Sequence, residues 1–130
     1  MFWKWSSVLT NKGNVDMRDL DKRIHKIILD GGKEAEFSMV REFCFEPYYV
    51  VFENRGKAFF SYVTRFTRFF LEGGREVFAL ELKEGDFIQG KDGPILVKKR
   101  EKLQSEVEVF KVLLKEDFAF FVDSVRVKKS

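Results

Sequence analysis

Closely spaced turn signals constrain this chain more than any other feature of its sequence. Residues 68–71 and 75–79 are largely apolar and flank Glu72-Gly73-Gly74, and Lys83-Glu84-Gly85-Asp86 follows soon afterwards. Two short runs on either side of a glycine-bearing turn are typical of a β-hairpin. Because little chain separates one turn signal from the next, only short strands fit between them. The spacing therefore predicts an antiparallel β fold.

The same pattern recurs along most of the chain. Asn54-Arg55-Gly56 separates runs at 48–53 and 57–66, which predicts a second hairpin. Further strands are expected at residues 3–10, 36–45, 95–97, 107–114 and 118–127. Phe occurs 16 times among 130 residues, and aromatic side chains favour pleated, half-buried surfaces. The composition therefore agrees with a packed β fold and argues against disorder.

One segment departs from the strand pattern. Asp16 can cap a helix, and Met17, Ile24 and Ile27 follow at helical spacing before Gly31. The spacing predicts one helix over residues 16–30, with no other long helix in the chain.

Other bulk features limit the function classes. No apolar run approaches the ~20 residues of a membrane span, and the first ten residues lack the pattern of a signal peptide. A cytoplasmic protein without membrane contact is therefore expected. Cys44 is the one cysteine and His25 the one histidine, so neither a disulfide nor a metal site is expected. No cofactor is expected either.

The middle of the chain resembles the Hint family, the self-processing domain of inteins and hedgehog proteins. In that family a T-x-x-H strand precedes a hairpin and an E-L-x-x-G-D-x-I segment. This chain has Thr64-Arg65-Phe66-Thr67 and then Glu81-Leu82-Lys83-Glu84-Gly85-Asp86-Phe87-Ile88. Val8-Leu9-Thr10-Asn11-Lys12-Gly13 matches the V-L-T-x-x-G strand and turn near the start of inteins. Residues 109–114 and 118–129 resemble the closing block.

The resemblance covers residues 1–129 and carries expectations about the fold. It implies a single Hint-like domain over residues 1–130 that is all-β, mostly antiparallel and horseshoe-like, with its first and last strands brought together. Residues 88–107 leave no room for a homing endonuclease, so the domain would be a minimal one.

The catalytic positions of the family carry other residues here. The nucleophile position falls on a methionine, the histidine positions of the middle and closing blocks on a threonine and a phenylalanine, and the terminal His-Asn pair on two lysines. Only the middle-block threonine is kept. In chain order these positions are Met1, Thr64, Thr67, Phe118, Lys128 and Lys129. A thioether cannot hold an acyl group, and a threonine hydroxyl cannot replace an imidazole as acid or base near neutral pH.

The resemblance therefore implies a Hint-like domain that has lost autoprocessing and acts as a structural or interaction module rather than an enzyme. One alternative is residual self-cleavage or splicing through Ser6, Ser7 or Ser130. Another is a small basic nucleic-acid-binding β protein that uses its Phe-rich strands and the charged residues 98–102. These residues are expected to form a solvated loop. A third is an unrelated small β-barrel with similar strand spacing. Three aromatic side chains are expected in the core, namely Phe59, Phe69 and Phe121.

The chain ends carry a candidate anion site. If they meet as the resemblance implies, Lys4, Lys128 and Lys129 crowd one position. Like charges this close favour a neutralising anion. Asp86, Asp123 or the Ser130 carboxylate could supply it, and otherwise a phosphate-bearing ligand or an acidic protein surface is the expected partner.

Overall fold

The computed structural model describes residues 2–128, which form one strongly curved antiparallel sheet that nearly closes on itself. Within this range the chain has fifteen strands. The first eight are β1 (Phe2–Trp3), β2 (Ser7–Thr10), β3 (Gly13–Asp16), β4 (Ile27–Ile28), β5 (Glu34–Ala35), β6 (Phe37–Phe45), β7 (Tyr48–Asn54) and β8 (Lys57–Val63). The others are β9 (Arg68–Phe70), β10 (Glu76–Phe78), β11 (Phe87–Gly90), β12 (Gly93–Lys102), β13 (Glu106–Leu114), β14 (Phe120–Val122) and β15 (Val125–Lys128). The all-β, antiparallel class is as predicted.

The strand order weaves the two ends of the chain into the middle of the sheet. The main path runs β5-β4-β2-β14-β15-β11-β12-β7-β8-β1-β13-β6. The β9–β10 hairpin and β3 branch from it, on β15 and β2 respectively. The Phe2 and Phe120 rings meet edge to face with centroids 5.7 Å apart. The first strand thus packs against the closing hairpin.

Alternate residues of the strands fill the inside of this sheet. Val8, Val50, Ile88 and Val97 come from four different strands, and each is fully buried. Burying a side chain of this size stabilises a fold by ~1.5–3 kcal/mol. Phe69 is also buried, and Phe59 packs partly buried against the same core.

The predicted hairpins are confirmed, and their turns have the backbone that tight hairpins need. Asn54 pairs with Lys57, so Arg55 and Gly56 form a two-residue loop with φ of 52° and 80°. Positive φ at both positions is the I′ geometry, which matches the twist of the strands. The closing hairpin uses Asp123-Ser124 in the same way, with φ of 52° and 64°.

The predicted helix over residues 16–30 is wrong. Met17–Asp19 form a single 3₁₀ turn, and the chain then turns into β4, which pairs with β2 and β5. Met17 and Ile27 are both fully buried, but Ile24, on the same side of a hypothetical helix, is 60% exposed. The apolar side chains therefore reach the core from separate extended segments. Backbone hydrogen bonds to neighbouring strands take the place of the helical hydrogen bonds. In the turn between Asp19 and β4, His25 Nδ1 accepts a hydrogen bond from the Asp21 N–H at 2.9 Å.

Two further strand boundaries differ from the sequence prediction. The expected strand at 3–10 is broken at Lys4-Trp5 into β1 and β2, which pair with different partners. Residues 98–102, expected as a loop, continue β12 along β7 after a bulge between Val97 and Lys99. Ion pairs accompany this charged half-strand, for example between Lys98 and Glu53 at 3.3 Å. Among residues 2–128, no helix has the length and apolar character needed to cross a bilayer.

Candidate functional site

The sheet brings three of the sequence-predicted site residues, Thr64, Thr67 and Lys128, toward one region, where the first strand, the middle block and the last strand meet. Phe2 pairs with Val63, the residue before Thr64. Lys128 pairs with Arg68, the residue after Thr67. Two ladders thus anchor the middle block, one to each end of the described chain. Met1, Lys129 and Ser130 lie outside the described residues.

Thr64 and Thr67 form the centre of this region. Their hydroxyl oxygens lie 3.0 Å apart, and both side chains are buried, Thr67 completely. The Thr67 N–H donates to the Thr64 carbonyl at 3.1 Å, and the Thr67 carbonyl accepts the Ala79 N–H at 2.8 Å. Thr67 therefore holds a tight turn against the segment after β10. Two such hydroxyls can hydrogen-bond, but near neutral pH they cannot accept and return a proton as an imidazole does.

Lys128 ends in a network of charges across β9, β10 and β15. Its ammonium lies 2.6 Å from the Glu76 carboxylate, and the Arg68 guanidinium lies 3.8 Å from the same carboxylate. Arg68 also contacts Asp117 at 2.5 Å. Among residues 2–128, the contacts in this group join two cations to two carboxylates. Glu76, which the sequence did not single out, is thus the internal partner of Lys128.

The other charged groups proposed for the chain ends lie in separate contacts. Lys4 sits in the turn after β1, with its ammonium 5.8 Å from the centre of the Trp5 ring. Within residues 2–128, no contact joins Lys4 to Lys128. Asp86 accepts the Lys83 N–H at 2.9 Å in its own turn.

Phe118, where the resemblance led us to expect a histidine, is 47% exposed. It borders an open cleft of about 430 Å³ together with Lys128, Glu76 and Arg126. Phe118 and Lys128, the two positions where the resemblance predicts histidines, therefore line a common cleft. Neither group is a proton acceptor at neutral pH.

A buried polar cluster beside this region was not predicted from the sequence. The Ser6 and Ser61 hydroxyl oxygens lie 2.8 Å apart, and both residues are buried. The Asp123 carboxylate accepts the Ser7 N–H at 2.9 Å, while the Asp123 N–H donates to the Ser7 carbonyl at 2.8 Å. The cluster therefore ties the closing hairpin to β2. The sequence offered one signal for this cluster, the Asp123-Ser124 turn between two apolar runs. Such a pair favours positive φ, but it does not reveal where the Asp123 side chain points.

Burial raises the pKa of the Asp123 carboxyl above its ordinary value. The Ser7 N–H and the Ser6 and Ser7 hydroxyls act in the opposite direction, because they donate to the ionised form. Asp123 and Ser61 also line a cavity of only about 10 Å³ behind Phe2, so there is no room here for a substrate. The cluster connects elements of the fold and leaves Ser6 sealed from solvent.

The remaining candidate side chains give little chemistry. Burial raises the pKa of the Cys44 thiol, which opposes formation of a reactive thiolate. No three His, Cys, Asp or Glu side chains among residues 2–128 are grouped so that they could hold a metal ion.

Comparisons with known proteins add a fold but no activity. No family model matches the sequence, and no curated protein matches it. Solved structures do: a crystal structure of the MchDnaB-1 intein (N145AA) is 14% identical, with a TM-score of 0.79 and 100% of each chain covered. The gp41-1 intein is 17% identical, with a TM-score of 0.74 over 97% of this chain and 95% of that one. A bacterial intein-like domain from Clostridium thermocellum is 18% identical, with a TM-score of 0.75 over 99% and 97%. At these identities the similarity establishes an intein-like (Hint) fold and leaves the chemistry to the residues.

Proposed function

We propose that this chain, which has an intein-like (Hint) fold, is a single Hint-like domain over residues 1–130 that does not splice or cleave itself. It serves instead as a structural or interaction module. A fold does not supply a reaction unless the reacting groups are present. The proposal therefore rests on what occupies the positions where the resemblance expects those groups.

The buried Thr64–Thr67 hydroxyl pair is the observation that carries the proposal. The family places a histidine at the second position to assist the first acyl shift. In this chain the Thr67 side chain is fully buried, with its hydroxyl 3.0 Å from that of Thr64. A hydroxyl in this position stabilises the turn. It has no protonation equilibrium near neutral pH with which to assist an acyl shift.

The closing block supports the same proposal. The position of the penultimate histidine is Lys128, whose ammonium lies 2.6 Å from Glu76. A lysine ammonium has only donors and no lone pair with which to accept a proton. Phe118 offers no polar atom at the other histidine position.

The experiment is a fusion of residues 1–130 between two reporter proteins, incubated with and without added thiol. We expect the fusion to remain intact at both junctions. Mass spectrometry over time is the measurement, since it identifies each product by mass. Spontaneous release of either reporter at a junction would refute the loss of activity.

Matched variants separate that outcome from adventitious proteolysis. Ser7→Ala removes a hydroxyl that the sequence offered as a substitute nucleophile, while Ser105→Ala removes one in the β12–β13 turn. Cleavage that stops in Ser7→Ala and persists in Ser105→Ala would support residual autocatalysis. Cleavage that persists equally in Ser7→Ala, Ser6→Ala, Ser130→Ala and Ser105→Ala would point to a contaminating protease.

The anion site at Lys4, Lys128 and Lys129 remains a second proposal for the same region. Lys128 is already paired with Glu76, so an external anion has to compete with that carboxylate. Phosphate titrated at low salt against the wild type and a Lys128→Ala/Lys129→Ala variant tests this. Equal affinity for both proteins, or binding by neither, would discard it.

A further inference from the structure

An open cleft on another part of the surface combines basic and aromatic side chains. It has a volume of about 550 Å³ and lies between the end of β6, the start of β7 and the turn that follows β8. Its floor includes Tyr48 and Thr64, and its rim includes Phe43, Phe45 and Phe66. A cleft of this size is within the range of binding sites in proteins.

The cations of the cleft exceed its carboxylates. Arg65, Lys102 and Lys111 line it, with Glu46 as the one acidic residue. Glu46 pairs with Lys102 at 3.0 Å. Among residues 2–128, no carboxylate forms an ion pair with Arg65 or Lys111. Within the described residues, Arg65 and Lys111 therefore carry positive charge without an ion-pair partner.

The aromatic side chains of the rim are unusually exposed for phenylalanine. Phe43 is 65% exposed, Phe45 70% and Phe66 48%. Phe43 and Phe45 are two residues apart on β6, so both side chains project from one face of the strand, about 6.7 Å apart. The Arg65 guanidinium lies 5.0 Å from the centre of the Phe66 ring, which places a cation beside an aromatic face.

We propose that this cleft binds single-stranded nucleic acid. Phosphates would lie against Arg65, Lys102 and Lys111, and bases would stack on the exposed rings of Phe43 and Phe45. Proteins that hold single strands without strong sequence preference combine these two features, a basic groove and aromatic faces. This function is separate from autoprocessing and does not depend on its loss.

The same chemistry fits an acidic peptide less well. The uncompensated cations would attract it, but the rim offers phenyl faces without hydroxyl or amide groups. Every nucleobase has a flat face that stacks on such a ring, whereas acidic side chains have none. An acidic peptide is therefore the competing ligand in the test.

The probe is a fluorescein-labelled (dT)12 oligonucleotide, titrated with the protein while anisotropy is measured at a series of NaCl concentrations. Each phosphate neutralised on a single strand contributes about −0.7 to the slope of log K against log salt. Three cations then give a slope of about −2. Absence of binding at the lowest salt used, about 25 mM, would overturn the proposal.

Substitutions separate the cationic contribution from the aromatic one. Arg65→Gln should reduce the steepness of the salt slope by about 0.7, whereas its control Lys57→Gln, at the start of β8, should leave it unchanged. Phe45→Ala should weaken binding about 5- to 150-fold without changing the slope. Its control is Phe87→Ala, an exposed ring on β11 that does not line the cleft. Equal losses in test and control variants would refute the assignment to this cleft.

Cys44 supplies an independent readout, because it lines the cleft and is the one cysteine in the sequence. The (dT)12 oligonucleotide should slow alkylation of Cys44 by a maleimide, measured by mass spectrometry. A glutamate-rich dodecapeptide at the same concentration should slow it less. Protection by the peptide alone, or by neither ligand at saturating (dT)12, would refute the proposal. Melting curves of each variant show that it has folded.

Discussion

The substitution Gly90→Ala tests how tightly the sheet is closed around the candidate site. Gly90 ends β11 and pairs both with Gly93 on β12 and with Val125 on β15. It therefore sits where the closing hairpin joins the long strands. Its φ is not in the left-handed region, so alanine brings no backbone strain of its own. Any loss of stability then reports on packing alone.

The structure gives the size of the clash. A Cβ at Gly90 would lie 2.5 Å from Ile95 Cδ1 and 2.7 Å from the Gly93 carbonyl oxygen. Ile95 is fully buried and cannot move outward, and the carbonyl belongs to the backbone of the paired strand. Overpacking of this kind costs about 1–3 kcal/mol, and two rigid neighbours place Gly90→Ala in the upper half of that range. Replacing glycine by alanine also restricts the unfolded chain, which offsets ~0.4–1 kcal/mol. We expect a net loss of roughly 1–2.5 kcal/mol.

Chemical denaturation followed by intrinsic fluorescence measures this difference as a shift of the midpoint at constant slope. Thermal unfolding should show a fall in Tm of about 4 °C for each kcal/mol. Gly73→Ala is the matched control, because a Cβ there meets nothing within 4 Å and the φ of Gly73 also lies outside the left-handed region. This control should be unchanged or slightly stabilised. The two substitutions therefore have opposite expected signs.

The result that contradicts the reasoning is specific. If Gly90→Ala is as stable as Gly73→Ala, then β11 and β12 can separate at this point without cost. The inward packing of Ile95 would then not hold the sheet closed. A change in the denaturant slope would instead indicate a less compact native or denatured state.

Two further predictions concern charged groups. Burial raises the pKa of Asp123, so folding favours the protonated carboxyl over the ionised one. The resulting contribution to the free energy of unfolding is fully present below the ordinary pKa of 3.8 and is lost as the pH rises through the raised pKa. Asp123→Asn should remove this dependence, and melting curves over pH that stay parallel for the variant and wild type would contradict the prediction. Glu76→Gln should lower stability by less than about 1 kcal/mol, because its pairs are partly exposed, and should strengthen phosphate binding by releasing Lys128. Unchanged phosphate affinity in an isothermal titration would argue against an anion site there.

The hairpins were accessible from the sequence because their signals are local. Asn54-Arg55-Gly56 specifies a turn, because its own residues tolerate the backbone conformations that the turn needs. The apolar runs on either side of a tight turn lie next to each other and pair as two strands. The resemblance to the Hint family came from the same kind of short pattern, around Thr64 and Gly85. The tertiary structure adds the strand order that joins these pieces.

The segment after Asp16 shows the limit of a local signal. The spacing of Met17, Ile24 and Ile27 describes only how far apart these residues are in the sequence. The same spacing occurs when such side chains reach the core from separate turns instead of from one helix. Pairing of β4 with Thr10 and Ala35 decides between the two arrangements. These partners come from other parts of the chain, so no window around residue 20 contains them.

The candidate site shows the same division between what the sequence determines and what the tertiary structure determines. The sequence alone determined which functional groups exist: it placed threonine, phenylalanine and lysine where the resemblance expects histidines, and no folding can turn these into imidazoles. The tertiary structure decided which groups those residues meet. It sealed Thr67 against Thr64, paired Lys128 with Glu76 and partly buried Asp123 against β2. Within residues 2–128, it left Arg65 and Lys111 without an ion-pair partner beside exposed rings. Protonation, ion pairing and access depend on distances between residues remote in sequence, and only the folded sheet sets those distances.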